Sequence, residues 1–480
     1  MSQISEYTRL DAMAMAELVR RGEVSAADLL ESAIARADAV NPGLNAISER
    51  FDDLARETVR GGIPDGPLRG VPFLLKDLHL LMAGTETTGA CDFLAGQTAD
   101  HDSTLVARYK RAGLVTFGKT NTPELGLTVS TEPRRFGATR NPWNLEHSAG
   151  GSSGGAAAAV AAGIVPVANA SDGGGSIRIP SSCCGLFGLK PSRARTPAGP
   201  DRGEGWSGMS CMHVISRSVR DSAAVLDATA GPEPGAPYRC APQDRPFLEA
   251  LEQAPRRLRI AFCSQAPTGV PVDAECRRAV DAAVALCADL GHEVEEGGPE
   301  FDVQALGKAM MTIISASTRA LLDARARQLG RSYTEADLEP ATWAMVRDAD
   351  ELGAAQYVEA VNAIHAAGRA AAAFHERYDA YVSPTLAKPP IQLGILCPDN
   401  RDIEGYMETL KGYSAFTAYQ NMTGEPSMSV PLHWTDDGLP IGVMFSAGFG
   451  EEALLLQLAA QLESARPWAE RRPVLEGVAG

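Results

Sequence analysis

Two glycine-rich segments, each enclosing a serine, constrain this chain more than any other feature. The first is Gly150-Gly-Ser-Ser-Gly-Gly155; the second is Asp172-Gly-Gly-Gly-Ser-Ile-Arg-Ile-Pro180. Three consecutive glycines before a serine let backbone amides turn inward around its hydroxyl, which bulkier residues would resist. Between the segments, Ala156–Ala162 reads as a helix small enough to pack closely in a core, and Ile164–Ala168 reads as a strand. Such a unit needs neighbouring strands and helices to enclose it.

The rest of the chain supplies them. Residues 10–60 predict two or three amphipathic helices, one capped at Ser25, where Asp28 follows three residues on. An apolar strand over Gly70–Leu75 ends at Lys76-Asp77. A helix over Thr104–Ala112, a short strand over Leu114–Phe117 and a turn at Gly118–Asn121 follow. Ser192–Gly203 and the Pro- and Gly-rich Gly231–Arg245 read as loops. Arg257–Cys263 and His292–Glu295 read as strands flanking the helix Asp273–Leu290. About residues 306–373 the pattern is helical and alanine-rich, cap-like over one face. Tyr381–Pro384 and Ile441–Ala447 are strands, the latter followed by a helix over Glu451–Leu462. Alternating strands and helices predict an α/β fold with a mixed central sheet covered by helices on both faces. No repeat or long linker divides residues 1–480, so one domain is expected.

Composition narrows the function classes. The 480 residues are 45% hydrophobic, enough to fill a core, and carry a net charge of -16 that repels phosphate backbones. A nucleic-acid partner is therefore not expected. No apolar run approaches the roughly 18–20 residues of a membrane-spanning helix. The N-terminal stretch carries acids and does not read as a signal peptide. Nine scattered cysteines lack a Cys-x-x-Cys pair, and eight histidines stand singly. Reduced thiols in a cytoplasm are expected, with no metal site.

Three readings compete for the glycine motifs. Gly113-Leu-Val-Thr-Phe-Gly-Lys-Thr120 satisfies the phosphate-loop pattern, but Leu114–Phe117 favour a buried strand over a loop of converging amides. Lys119 then becomes a structural lysine at a strand end. Frames centred on Ser152 and Ser153 both match G-x-S-x-G, the nucleophile elbow of α/β-hydrolases. That elbow requires a strand just before the serine, whereas Asn141–Ser148 reads as loop. The third reading joins the serines to Lys76. With only seven lysines in the chain, one that closes an apolar run stands out, and burial there favours its neutral form. A snorkelling lysine paired with Asp77 is the alternative.

The segments Gly150–Gly155, Ser171–Ser181 and Gly188-Leu-Lys-Pro191 resemble the amidase signature, and Gly70–Asp77 and Gly118–Glu124 are similar to that family's upstream segments. These motifs span residues 66–195. Weaker likeness at Ser216–Asp221 and Gly438–Gly442 extends it over nearly the whole chain. Ala138–Asn144 and Pro467–Pro473 resemble the branch of bacterial 6-aminohexanoate-cyclic-dimer hydrolases. The resemblance implies a Ser–cisSer–Lys triad: Ser176 as nucleophile, Ser152 as bridging serine after a cis peptide, and Lys76 as base. It further implies an oxyanion hole from the amides of Gly173, Gly174, Gly175 and Ser176, with Ser153, Asp172 and Arg178 in support. Gly173 departs from the larger residue many members carry, and extra backbone freedom there would loosen the hole.

No cofactor is implied. The expected partner is a small neutral amide, linear or cyclic, with anilides and carbamates also compatible; a homodimer is left open. The alternative is a glutaminase subunit of a heteromeric amidotransferase. Expected pocket walls are Gly126–Glu132, Gly199–Cys211 and the helices after Leu306, with Trp206, Met209 and Met212 as an apolar lining.

Overall fold

The computed structural model describes residues 6–475. Its first strands form a three-stranded sheet in the order β1 (Ile47–Arg50), β3 (Val115–Thr120), β2 (Pro72–Lys76), with β2 and β3 parallel. A small hairpin, β4 (Arg140–Asn141) and β5 (Asn144–Ser148), follows. The remaining strands are β6 (Val167–Asp172), β7 (Phe187–Lys190), β8 (Cys211–Ser216), β9 (Arg259–Phe262), β10 (Glu293–Glu296), β11 (Ala380–Pro384), β12 (Ser427–Trp434) and β13 (Pro440–Ala447). They build one mixed eight-stranded sheet in the order β10-β9-β11-β13-β12-β7-β8-β6. The β10–β9–β11 pairs are parallel and the others antiparallel.

Helices cover both faces of this sheet. The helix Arg178–Cys184 lies against one face, where Ser182 Oγ accepts the Gly442 amide and Arg178 approaches Met444. On the opposite face Val443 and Phe445 join a buried cluster with Val280 of the helix Ala274–Asp289 and Leu455 of Glu452–Ala465. The N-terminal helices Ala12–Arg20, Ala26–Leu44 and Asp52–Gly61 form as the periodicity predicts, and Ser25 and Asp28 make a reciprocal capping box. Helices Val303–Leu329, Pro340–Asp348 and Ala354–His375 occupy the cap-like region. None of the described helices is long and apolar enough to cross a membrane.

The helix Gly154–Ala161 is buried on every side. Gly155 is required there, because a Cβ would stand 2.5 Å from the Ala46 carbonyl oxygen and from the Asn121 nitrogen. Small residues thus let this helix approach the backbones around it, and that approach sets the position of the serines before it.

Several boundaries differ from the sequence expectation. β3 runs through Gly118–Thr120, where a turn is predicted, because Gly118 lies against the Glu49 carbonyl of β1. β6 starts at Val167 rather than Ile164 and continues to Asp172. Asn141–Ser148, read as loop, belongs to the β4–β5 hairpin. β7, β8 and β12 carry buried serines, histidine, glycine and lysine in a sheet covered on both faces, so they lack the alternation that marks a half-exposed strand.

Candidate active site

Lys76 is the last residue of β2 and is fully buried. Its backbone N–H donates to Asn169 Oδ1 of β6 (3.2 Å), which ties the small sheet to the large one. Its Nζ reaches Ser152 Oγ at 2.7 Å and Ser171 Oγ at 3.0 Å. Burial lowers the Lys76 pKa to about 7, with the Asp172 charge opposing the shift. The snorkelling alternative does not hold: Asp77 accepts from Thr88 through its amide and hydroxyl instead.

The bond between Gly151 and Ser152 is cis, and Ser152 is buried. Ser153 faces away from Lys76; its Oγ donates to the Ser171 carbonyl (3.2 Å) and receives the Ser171 amide (3.3 Å). Two adjacent serines that sequence leaves hard to separate thus divide between the lysine and the strand end. β5 ends four residues before Ser152, so the elbow reading fails on a different ground from the loop predicted at Asn141–Ser148. The strand before the serine belongs to a separate hairpin, not to the central sheet. The phosphate-loop reading fails because Lys119 is buried in β3 and donates to the Glu86 carbonyl and to Thr87 Oγ1.

Ser176 sits on the loop after β6, 9% exposed. Among the described residues its hydroxyl has no hydrogen-bond partner, Ser152 included. The loop is held by Asp172, whose carboxylate accepts the amides of Gly175 (2.7 Å) and Ile177 (3.0 Å) and meets Arg178 Nε (3.0 Å) and Nη2 (2.9 Å). Asn421 Nδ2 adds bonds to the Asp172 carbonyl and carboxylate, each 2.9 Å. Burial alone would raise the Asp172 carboxyl, but the Arg178 charge and these donors hold it well below its usual range. Asp172 and Arg178 are both fully buried, so the pair is not a surface ion pair. Breaking such a pair leaves an uncompensated buried charge. Arg178→Met is expected to cost about 3–5 kcal/mol of folding stability, measured by urea unfolding.

Of the four amides expected to form an oxyanion hole, one is already occupied. The Gly175 N–H is committed to Asp172, while among the described residues none accepts the amides of Gly173, Gly174 or Ser176. Nor is Gly173 loose. A Cβ there would stand 2.5 Å from the Trp206 ring, so the indole occupies the space a larger residue would fill. Met310 lies 2.8 Å from the Cβ position of Gly174, and Thr417 Oγ1 donates to the Gly174 carbonyl (2.6 Å). Of the expected lining, Trp206 is half-buried, whereas Met209 and Met212 are buried. Ser171, Asn169, Thr417 and Asn421 are contributors the sequence analysis did not single out. Ser171 and Asn169 were legible in principle, as alternate residues of one strand.

The amidase family model matches residues 28–456. The chain is 41% identical over 483 residues to the 6-aminohexanoate-cyclic-dimer hydrolase of Pseudomonas sp. (strain NK87), covering 97% of this chain and 96% of that one. The solved structure of 6-aminohexanoate cyclic dimer hydrolase complexed with substrate superposes with a TM-score of 0.91 at 39% identity, covering 98% of this chain and 99% of that chain. A bacterial aryl acylamidase structure superposes at 0.88 and 30% identity, over 98% and 100% of the two chains. With Ser152 and the buried Lys76 already in contact at the end of β2, these likenesses place the chain in the amidase-signature family of hydrolases that act on carbon–nitrogen bonds.

Proposed function

We propose that the protein is a free-standing hydrolase of small, mainly aliphatic amides, working through Lys76, Ser152 and Ser176. The observation that carries the reading is the 2.7 Å contact of Lys76 Nζ with Ser152 Oγ, made by an amine that burial brings to a pKa of about 7. Neutral Lys76 takes the Ser152 proton as Ser152 takes that of Ser176, and Ser176 Oγ bonds to the substrate carbonyl carbon. The oxyanion lies against the N–H groups of Gly173, Gly174 and Ser176. The relay returns the proton to the substrate nitrogen, the C–N bond breaks and the amine leaves. Water then attacks the acyl-enzyme by the same relay and releases the acid.

The substrate class rests on the names of the relatives and on the wall that Trp206 and Met310 set against Gly173 and Gly174. Apolar, polarisable groups there suit methylene chains. Purified protein is expected to cleave a capped aliphatic diamide or a cyclic oligoamide with kcat/KM at least about tenfold above that for free glutamine, a difference of about 1.4 kcal/mol. Preference for glutamine, or activity only after a second subunit is added, would favour the amidotransferase reading.

A further inference from the structure

Arg202, on the Gly199–Cys211 loop, has no carboxylate partner among the described residues. Asp201, beside it in sequence, turns its carboxylate to His101 Nε2 at 3.0 Å. The Arg202 Nη2 meets only the Met212 thioether, at 4.0 Å. Its neighbours behave differently. Arg178 is bound by Asp172, Arg195 by Glu452 (2.8 Å), and Arg193 donates to the carbonyls of Gly208 and Met422, each at 2.8 Å.

The position of this unpaired charge gives it meaning. Met212 lies opposite Ser171 in the β6–β8 ladder, and Ser171 Oγ is the second partner of Lys76 Nζ. His79, three residues beyond Lys76, adopts a left-handed backbone with φ 68°, and no described residue hydrogen-bonds its ring. Burial, then the charges of Arg202 and Lys76, push the imidazole well below its ordinary pKa, so it stands neutral in the field of both cations. Burial lowers Arg202 itself to about 10, with Asp201 opposing, which leaves it cationic at neutral pH. A half-buried guanidinium without a counter-ion is costly, and its planar fork matches a carboxylate in two parallel hydrogen bonds.

We propose that Arg202 forms a carboxylate subsite of the catalytic cleft, and that the favoured amides carry a carboxylate, as a linear ω-amino-acid oligomer does. This rests on the amidase reading above and departs from the neutral substrate expected from sequence. The acids Asp201 and Glu204 on the same loop favour a monoanionic carboxylate over a phosphate dianion.

The test compares a linear aliphatic oligoamide bearing a free carboxylate with its methylamide-capped twin. The wild-type kcat/KM is expected to favour the carboxylate form by about tenfold or more, mainly through KM. Arg202→Ala should bring that preference close to one, and Arg202→Lys should restore part of it. Hexanoate alone, titrated calorimetrically, should bind Arg202→Ala at least about tenfold more weakly than wild type. Equal preference and equal hexanoate affinity in wild type and Arg202→Ala would overturn the subsite. Failure of the wild type to hydrolyse either twin would overturn the proposed action on linear aliphatic amides instead, and hexanoate affinity would still decide the role of Arg202.

Discussion

Ser176→Ala is expected to lower kcat/KM by about 10⁴-fold or more while moving the thermal midpoint by no more than about 2 °C. The two halves of this expectation rest on different contacts. The Ser176 hydroxyl bonds to no described residue, so its removal takes nothing from the network that shapes the loop. That network runs through Asp172, Arg178 and Asn421. A lost nucleophile is not replaced by its neighbours, because Ser152 is committed to Lys76 and Ser153 to the strand end at Ser171. Steady-state hydrolysis of a chromogenic aliphatic anilide, read beside calorimetry, separates chemistry from folding. A well-folded Ser176→Ala protein that retained amidase activity would move the nucleophile elsewhere.

Ser152→Ala offers a contrast. It removes the group through which Lys76 is proposed to act and leaves a buried amine with Ser171 as its remaining hydroxyl partner. Activity should fall comparably, with a larger change in stability than for Ser176→Ala, since a buried polar partner is lost.

The parts of the fold legible in the sequence are those with a periodicity or a cap. Ser25 and Asp28 predict the start of a helix because their reciprocal hydrogen bonds are local, and local chemistry survives into the structure. The glycine motifs were legible for a related reason: few backbones need three glycines before a serine. What the sequence hid depends on distant partners. β7 and β8 lie within a sheet buried on both faces, so His213 and Ser216 interrupt an apolar run that alternation would otherwise reveal. Asp172 could be placed near the nucleophile loop, but its capture of the Gly175 amide could not, since that depends on how the loop folds over one carboxylate. Gly173 shows the same limit. Read alone it suggests slack, yet Trp206, thirty-three positions away (206 − 173), occupies the space beside it.

Lys76 carries the second large effect, and pH exposes it. The acid limb of kcat/KM is expected at an apparent pKa of about 7, because the relay starts from the neutral amine and burial brings Lys76 to that value. Lys76→Ala should lower the rate by about 10²–10⁴-fold and remove this limb, while Lys76→Arg should be as poor, since a guanidinium stays protonated. Stability should rise with pH as well. In the unfolded chain the amine titrates near about 10.4, so between about pH 7 and 10 the unfolded state binds more protons than the folded one. Folding stability from this group therefore rises with pH across that window and is lowest below pH 7, where both states carry the charge. Replacing Lys76 with methionine removes the cost of burying the amine, so Lys76→Met should be at least as stable as wild type at neutral pH, although inactive. A variant that kept the wild-type rate and acid limb would place the base elsewhere. One that lost activity together with its fold would show Lys76 to be structural rather than the start of proton transfer.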